Sequence, residues 1–491
     1  MMSSTVSSSY SSNSIDDHQQ NLVSAIENLS LSSSSTTATS SSAIQVGNNI
    51  DLITEILLCL PIISLIVFKS VSKQWLCLIT DPSFAINHIR RHPISKISGL
   101  FFEKLSPDFE ILYDFILLDG SRVEEEVIYS TNTAVVAEGG SGALFKTLNF
   151  AESEQVITHT ENGVQIIENG VRIVQSCNGL LCCIKETEVI NDDNAPRVYS
   201  TQTYIYNPTT RQCKILPPSP FRDVVGEDCC FKVSSISLAF DPIKSPDHYQ
   251  VICIWRDIVK DWDFEWYDDE YLHNHFIDIY SSKTNSWKKV SSSSVNPFYA
   301  LPNSFTKSGV YWNGSLHWIA TADNTTTESS MYFDIVQELV KPFPFPTTSD
   351  HTVSHAVYIG ECGGHLYLIE VLASCYTSYN IFKLETDYSG WKLIYKLDVE
   401  RFINAYPGFD SYAVDRTLML FRMVLVLEED EEDSLSKLVV LVDGRRVISY
   451  DLKKLSITEI HTFTEYNVHA SARIGGLWGS LHHYIESLAC V

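Results

Sequence analysis

Basic side chains are scarce in this chain. Its 35 Lys and Arg stand against 60 Asp and Glu, for a formal net charge of -25. A surface that neutralises nucleic-acid phosphates needs the opposite balance, and so does one that docks on anionic lipid. Long apolar runs are lacking too. The most apolar stretch, Leu418 to Leu427, falls short of the roughly 18–20 residues of a membrane helix and is interrupted by Arg422. The start, Met1-Met2-Ser3-Ser4, has neither the basic residues nor the apolar run of a secretory signal, so a location in the cytoplasm, the nucleus or both is expected. In those compartments the 12 cysteines read as reduced thiols, not as a disulfide framework.

Signatures of catalysis and metal binding are also missing. The chain has no CxxC pair, no Cys/His zinc spacing, no P-loop, no GxSxG and no HExxH. His273 alternates with His275, and His482 adjoins His483, but neither pair has a third ligand at a suitable distance, so both read as polar strand positions. The Gly-rich stretch Glu138 to Gly142 carries no Lys and opens no helix, so it reads as a loop. No catalytic residue, cofactor or metal site is expected.

What is present falls into three textures. Residues 1–46 are dominated by Ser and Thr and hold no Lys or Arg; such a segment buries too little to offset ordering entropy and is expected to be disordered. Residues 47–92 have helical spacing. Leu52, Ile53, Ile56, Leu57 and Leu60 follow a helical period and are expected on one face. Pro61 ends that helix and leads into a second one carrying Ile62, Leu65, Ile66 and Phe68. Ser72 is placed to cap a third helix with Trp75, Leu78 and Ile79 on its inner side, and Asp81-Pro82-Ser83 restarts a fourth holding Phe84 and Ile89. So small a block has little core of its own, and its helices are shorter than the roughly 12–15 residues that are even marginally stable alone. It is therefore expected to lean on a partner. Lys69, Lys73, Arg90, Arg91 and Lys96 outnumber Asp51, Glu55 and Asp81 here, which suits an acidic partner.

From about residue 98 the period becomes two. Asn178-Gly179, Asn313-Gly314 and similar dipeptides mark tight hairpins. Val164 to Val174 reads as one hairpin about Asn169-Gly170. Trp262, Phe264 and Trp266, followed by Phe276, Asp278 and Tyr280, read as a second. A degenerate repeat runs through this region: YIYNPTTRQCKILP from Tyr204, IDIYSSKTNSWKKV from Ile277, MYFDIVQELVKPFP from Met331, NIFKLETDYSGWKLI from Asn380 and VISYDLKKLSITEI from Val447. Each copy is a strand, an aromatic (Tyr206, Tyr280, Phe333, Phe382, Tyr450), a polar turn and a second strand. Such spacing suits four-stranded propeller blades, and an earlier copy near Phe109–Tyr129 would make a ring of six or seven. The acidic run Glu428 to Asp433 reads as a solvated loop, and the aromatic-acidic segment Trp255 to Tyr271 as blade core alternating with a solvent face.

The helical block resembles the F-box of plant F-box proteins. The resemblance is carried by Leu60-Pro61, Ser64-Leu65, Phe68-Lys69, Val71-Ser72-Lys73, Trp75, Leu78-Ile79, Asp81-Pro82-Ser83-Phe84 and His88. Downstream, SCNGLLCC from Ser176, LAFDP from Leu238 and GVYWNGSLHW from Gly309 resemble the kelch-like F-box-associated domain of the same family. The block departs from the pattern in two places. Gly47-Asn48-Asn49-Ile50 replaces an opening Leu-Pro, and Val67 stands where a basic residue is common, which implies a weaker adaptor contact.

The resemblance implies a multidomain chain: a disordered tail (1–46), a small all-α F-box bundle (47–92) and an all-β propeller (98–491). It also implies a non-catalytic receptor subunit of a SKP-cullin-F-box ubiquitin ligase, which binds a SKP-type adaptor, through it the cullin scaffold, and an unidentified target protein through the propeller. By motif position the adaptor-side residues are Ile50, Leu52, Ile53, Ile56, Leu57, Leu60, Pro61, Leu65, Val71, Ser72 and Trp75. A scaffold acting without degradation is the alternative, and a propeller enzyme a remoter one.

Overall fold

The structure, a computed structural model, describes residues 49–92, 97–105, 111–118, 157–161, 164–168, 171–191, 198–219, 229–259, 275–290, 308–320, 329–346, 354–372, 378–398, 421–428, 435–442, 446–463 and 481–491. The Ser/Thr-rich tail, the Glu138–Gly142 stretch, Trp262 to Trp266, His273 and the acidic run beyond Glu428 lie outside these residues. The chain divides after Leu60 into two compact units.

The first unit contains α1 (Ile50–Leu58). Asn49 caps it, accepting from the backbone N–H of Asp51 at 3.1 Å and of Leu52 at 3.2 Å. The second unit opens with α2 (Ile62–Phe68), α3 (Lys73–Thr80) and α4 (Pro82–Arg91). Pro61 is the N-cap of α2. Ser72 caps α3, its Oγ accepting from Trp75 N at 3.1 Å, and Asp81 caps α4 ahead of Pro82. The two Ser83 donors hold the Asp81 carboxyl below its ordinary pKa.

The strands then form six sheets. The first contains β1 (Ile97–Leu105) and β2 (Ile111–Leu117). The second contains β3 (Ile157–Glu161), β4 (Val164–Glu168), β5 (Arg172–Cys177), β6 (Leu180–Asn191), β7 (Val198–Asn207) and β8 (Gln212–Ile215). The next four each have four strands in chain order: β9 (Cys229–Ala239), β10 (Gln250–Val259), β11 (His275–Ser281) and β12 (Ser286–Lys289); β13 (Val310–Trp312), β14 (Ser315–Ala320), β15 (Ser329–Asp334) and β16 (Leu339–Pro342); β17 (Ser354–Cys362), β18 (His365–Leu372), β19 (Ser378–Leu384) and β20 (Trp391–Asp398); β21 (Phe421–Glu428), β22 (Leu435–Val442), β23 (Arg446–Asp451) and β24 (Ser456–Thr462). The last strand, β25 (Leu481–Ile485), returns to the first sheet and pairs antiparallel with β1, Ile97 opposite Ile485.

Six apolar clusters lie between successive sheets. Cys177, Ile205 and Val251 join the second to the third; Ile254, Ile279 and Phe333 the third to the fourth; Trp312 and Leu384 the fourth to the fifth. Tyr367 and Leu438 join the fifth to the sixth, Phe102 and Leu441 the sixth to the first, and Phe101 and Tyr204 the first to the second. The sequence of contacts closes on itself, so the fold is a six-bladed propeller, and β25 completes the ring. Closure removes the open sheet edges that so long a β chain would otherwise expose.

All five copies of the repeat form the outer two strands of a blade; Tyr206, Tyr280, Phe333 and Tyr450 hold matching positions, opposite Cys213, Trp287, Val340 and Ile457, whereas on β19 that register belongs to Leu384, opposite Trp391, and Phe382 lies two residues earlier. In every copy the turn between those strands contains one non-glycine residue in the left-handed region: Arg211, Asn285, Glu338, Tyr388 or Leu455, with φ between 52° and 60°. The inner hairpins of three blades turn on Asn178-Gly179, Asn313-Gly314 and Gly363-Gly364, all at positive φ as expected for two-residue hairpins. Of the earlier copy near Phe109–Tyr129, β2 is described and is paired with β1.

The hairpin expected over Val164–Val174 does not form. β4 and β5 both pair with β6, Val164 opposite Asn191 and Arg172 opposite Ile184, so they lie end to end along one edge. The true hairpin is β5–β6, closed at Asn178-Gly179. In the second expected hairpin the limbs are β10 and β11, and Trp262 to Trp266 falls in the connection outside the described residues.

Candidate functional site

α1 is apolar on two faces. Ile53, Leu57 and Leu58 are buried, whereas Ile50 and Ile56 are each 52% exposed and Leu52 is 46% exposed. The single apolar face expected from spacing is thus split. Burying a side chain such as Leu57 contributes about 1.5–3 kcal/mol. The exposed set forgoes that contribution, an arrangement that suits a partner covering it.

The second unit repeats this division on α2 and α3. Leu65 and Ile79 are buried, while Ile63, Val67, Val71 and Leu76 are exposed. Among the described residues, seven of the thirteen exposed large apolar side chains lie between Ile50 and Leu76, so the helical stretch carries far more uncovered apolar surface per residue than the blades. Pro61 and Ser72 are exposed, and Leu60 and Trp75 are half-buried. The Trp75 ring packs edge-on against Phe68 at 5.3 Å. Of the expected adaptor-side residues, Ile50, Leu52, Ile56, Pro61, Val71 and Ser72 are therefore accessible, whereas Ile53 and Leu57 on α1 and Leu65 on α2 are buried. The exposure of Ile63 and Leu76 was not anticipated from the sequence, and Val67 entered there only as a departure from the motif. The four-residue spacing of Ile63 and Val67, offset from buried Leu65, was the available signal.

The propeller's described histidines are packed among other side chains. His317 is buried in a stack of rings, its Nε2 2.9 Å from the Tyr388 hydroxyl, and burial lowers its pKa to about 4. His483 is lowered to about 4 by the same cause. Both are neutral side chains near neutral pH, His317 in the core and His483 partly buried on β25. Among the described residues no group of three or more His, Cys, Asp or Glu is arranged to hold a metal, and no helix is long and apolar enough to cross a membrane.

A helical block rich in uncovered apolar side chains, joined to a closed propeller, defines a two-part binding protein. Residues 49–87 match the F-box domain family, and residues 130–491 match the F-box associated beta propeller domain family. The chain belongs to the F-box proteins that carry an F-box associated β-propeller domain. It is similar to F-box protein At5g07610 of Arabidopsis thaliana, at 29% identity over 419 residues, covering 83% of this chain and 84% of the relative. F-box protein At5g10340 of the same plant is 25% identical, covering 74% of this chain and 73% of the relative. Among solved structures, the beta-propeller domain of the Trilobed protease from Pyrococcus furiosus aligns at 8% identity with a TM-score of 0.23, covering 64% of this chain and 96% of that one. A likeness that low carries no argument here.

Proposed function

We propose that this chain is the substrate-recognition subunit of a SKP-cullin-F-box ubiquitin ligase. The observation that carries the reading is the F-box match over residues 49–87, coincident with the exposed apolar side chains of α1 to α3. In this reading residues 47–92 bind a SKP-type adaptor, which joins the cullin, and residues 98–491 hold a target protein. Ile50, Leu52, Ile56, Leu60, Pro61, Val71, Ser72 and Trp75 contact the adaptor, and Ile53, Leu57 and Leu65 hold the helices that present them. The chain contributes no reacting group. It raises the effective concentration of target lysines near the charged conjugating enzyme, an advantage of proximity alone. Such work takes place in the cytoplasm, the nucleus or both.

The test is adaptor capture by the full chain. Leu60→Ala combined with Pro61→Ala should abolish capture while the propeller stays folded by circular dichroism; undiminished capture would sink the assignment. Reconstituted ubiquitination together with target abundance after depletion separates a degradation receptor from a non-degrading scaffold.

A further inference from the structure

Five of the chain's 35 basic side chains sit on the outer edges of two neighbouring blades with no acidic residue among them. Residues 211–219, along the outer strand of the second blade, hold Arg211 and Lys214; residues 281–290, along that of the third, hold Lys283, Lys288 and Lys289. The equivalent stretches of the next three blades, 335–344, 385–398 and 452–463, each mix both signs. Lys288 is turned to the fourth blade, its Nζ 2.6 Å from Glu338 Oε1. Lys214 and Lys289 instead flank the cleft between the second and third blades. Lys214 Nζ lies 6.0 Å from the ring centroid of Tyr280 on the facing blade, and Lys289 Nζ lies 5.6 Å from that of Phe276. Both rings belong to the cluster packed between these two blades. An ammonium resting on a ring face keeps N–H donors for a second partner, and neither lysine is buried.

The same cleft holds a cavity of about 40 Å³. Leu216, Pro217, Val233, Ile236, Trp255 and Trp287 give it apolar walls. Trp287 Nε1 donates to Pro217 O at 2.7 Å and so fixes one side. Polar groups reach it too: Ser219 Oγ, for one, donates to Asp278, which is 0% exposed on β11. A water-sized group occupies about 10–15 Å³ in this measure, so the space takes about three such groups, the bulk of a branched aliphatic side-chain end. Such an end would exchange water for indole and aliphatic walls, which favours its entry. In a chain of net charge -25, a rim of one positive sign is where an acidic partner is attracted instead of repelled.

We propose that the cleft between the second and third blades docks an acidic segment of a partner protein, one aliphatic side chain entering the cavity and the neighbouring carboxylates lying against Lys214 and Lys289. The proposal deepens the receptor reading, on which its biological meaning rests, by naming the chemistry of the recognised segment.

The experiment uses the full chain labelled with 5-fluorotryptophan, its Trp255 and Trp287 resonances assigned with Trp255→Phe and Trp287→Phe. The acetylated, amidated hexapeptides DEDLDE and DEDVDE are titrated, with NQNLNQ and DEDGDE as controls that lack the charges or the aliphatic side chain. The two acidic aliphatic peptides should shift both resonances, and added salt should weaken the effect. NQNLNQ and DEDGDE should bind about tenfold more weakly or not at all. Lys214→Gln combined with Lys289→Gln should weaken binding about tenfold, the loss of two exposed charge contacts. Lys214→Glu combined with Lys289→Glu should abolish it, and the Gln pair decides the matter if the Glu pair loses its fluorine dispersion. No response to either acidic aliphatic peptide, an equal response to either control, or unchanged binding in the Gln pair overturns the proposal. Adaptor capture should be unaffected in both paired variants, so failure here is distinguishable from failure of the receptor reading.

Discussion

Leu455 holds a left-handed conformation at φ 55° with its side chain exposed. A non-glycine residue there costs roughly 1–3 kcal/mol, while glycine brings an opposing loss of unfolded-state entropy of roughly 0.5–1 kcal/mol. Leu455→Gly should therefore stabilise the propeller by about 0.5–1 kcal/mol, read as a higher denaturant midpoint; a lower midpoint would show that the side chain matters more than the backbone. Asp278 makes a pH-dependent counterpart. Its folded pKa is raised, so its contribution to stability is complete below the ordinary carboxylate pKa and is lost as pH rises through about 6. Relative to Asp278→Asn, the parent should lose about 2 kcal/mol between about pH 4 and about pH 7, measured by urea unfolding at each pH. A flat difference would place the ionised group in a better-solvated setting than the structure gives it.

The helices are the elements most legible from the residues, because each has a local stop or start signal. Asn49, Pro61, Ser72 and Asp81-Pro82 all mark true boundaries. The spacing on α1 could not say which apolar residues face inward, since apolar residues occupy two of its faces and only Asp51, Thr54 and Glu55 interrupt them. Val164–Val174 was misread for a related reason. Asn-Gly turn chemistry and alternating residues are local, but whether two flanking strands pair with each other or with a third is decided by tertiary contacts. Burial also changes what truncation should do within this block. Trp75 is half-buried, so Trp75→Ala should cost about 1–2 kcal/mol, whereas Leu57→Ala, at a site with 0% exposure, should cost about 2–5 kcal/mol. Thermal unfolding followed at the helical far-UV signal ranks the two, and a reversed order would contradict the burial pattern.

In the whole molecule, five blades could be read from the repeat because the outer hairpin of each is continuous in sequence. The sixth was placed only by the earlier copy near Phe109–Tyr129, which overlaps β2; β25 comes from a distant part of the chain and leaves no local pattern to match. The pairing of Ser219 with buried Asp278 was likewise hidden, since one comes from a connection between blades and the other from β11. Closure has a direct test. Removing residues 481–491 takes away β25 and with it buried Tyr484, Leu488 and Ala489, along with the hydrogen bonds from Asn207 Nδ2 to Ser487 O and Ala489 O. The shortened chain should bind a hydrophobic dye strongly and lose its sharp unfolding transition; a sharp transition near that of the full chain would mean that the ring does not depend on this strand.

The pairing of β25 with β1 also sets a schedule for synthesis. Ribosomes make α1 to α4 well before β25, so the helical block emerges several hundred residues before the ring can close. On the receptor reading, a message truncated late would yield a product able to occupy the adaptor yet unable to grip a target, and such a fragment would compete with the intact protein in the same cell.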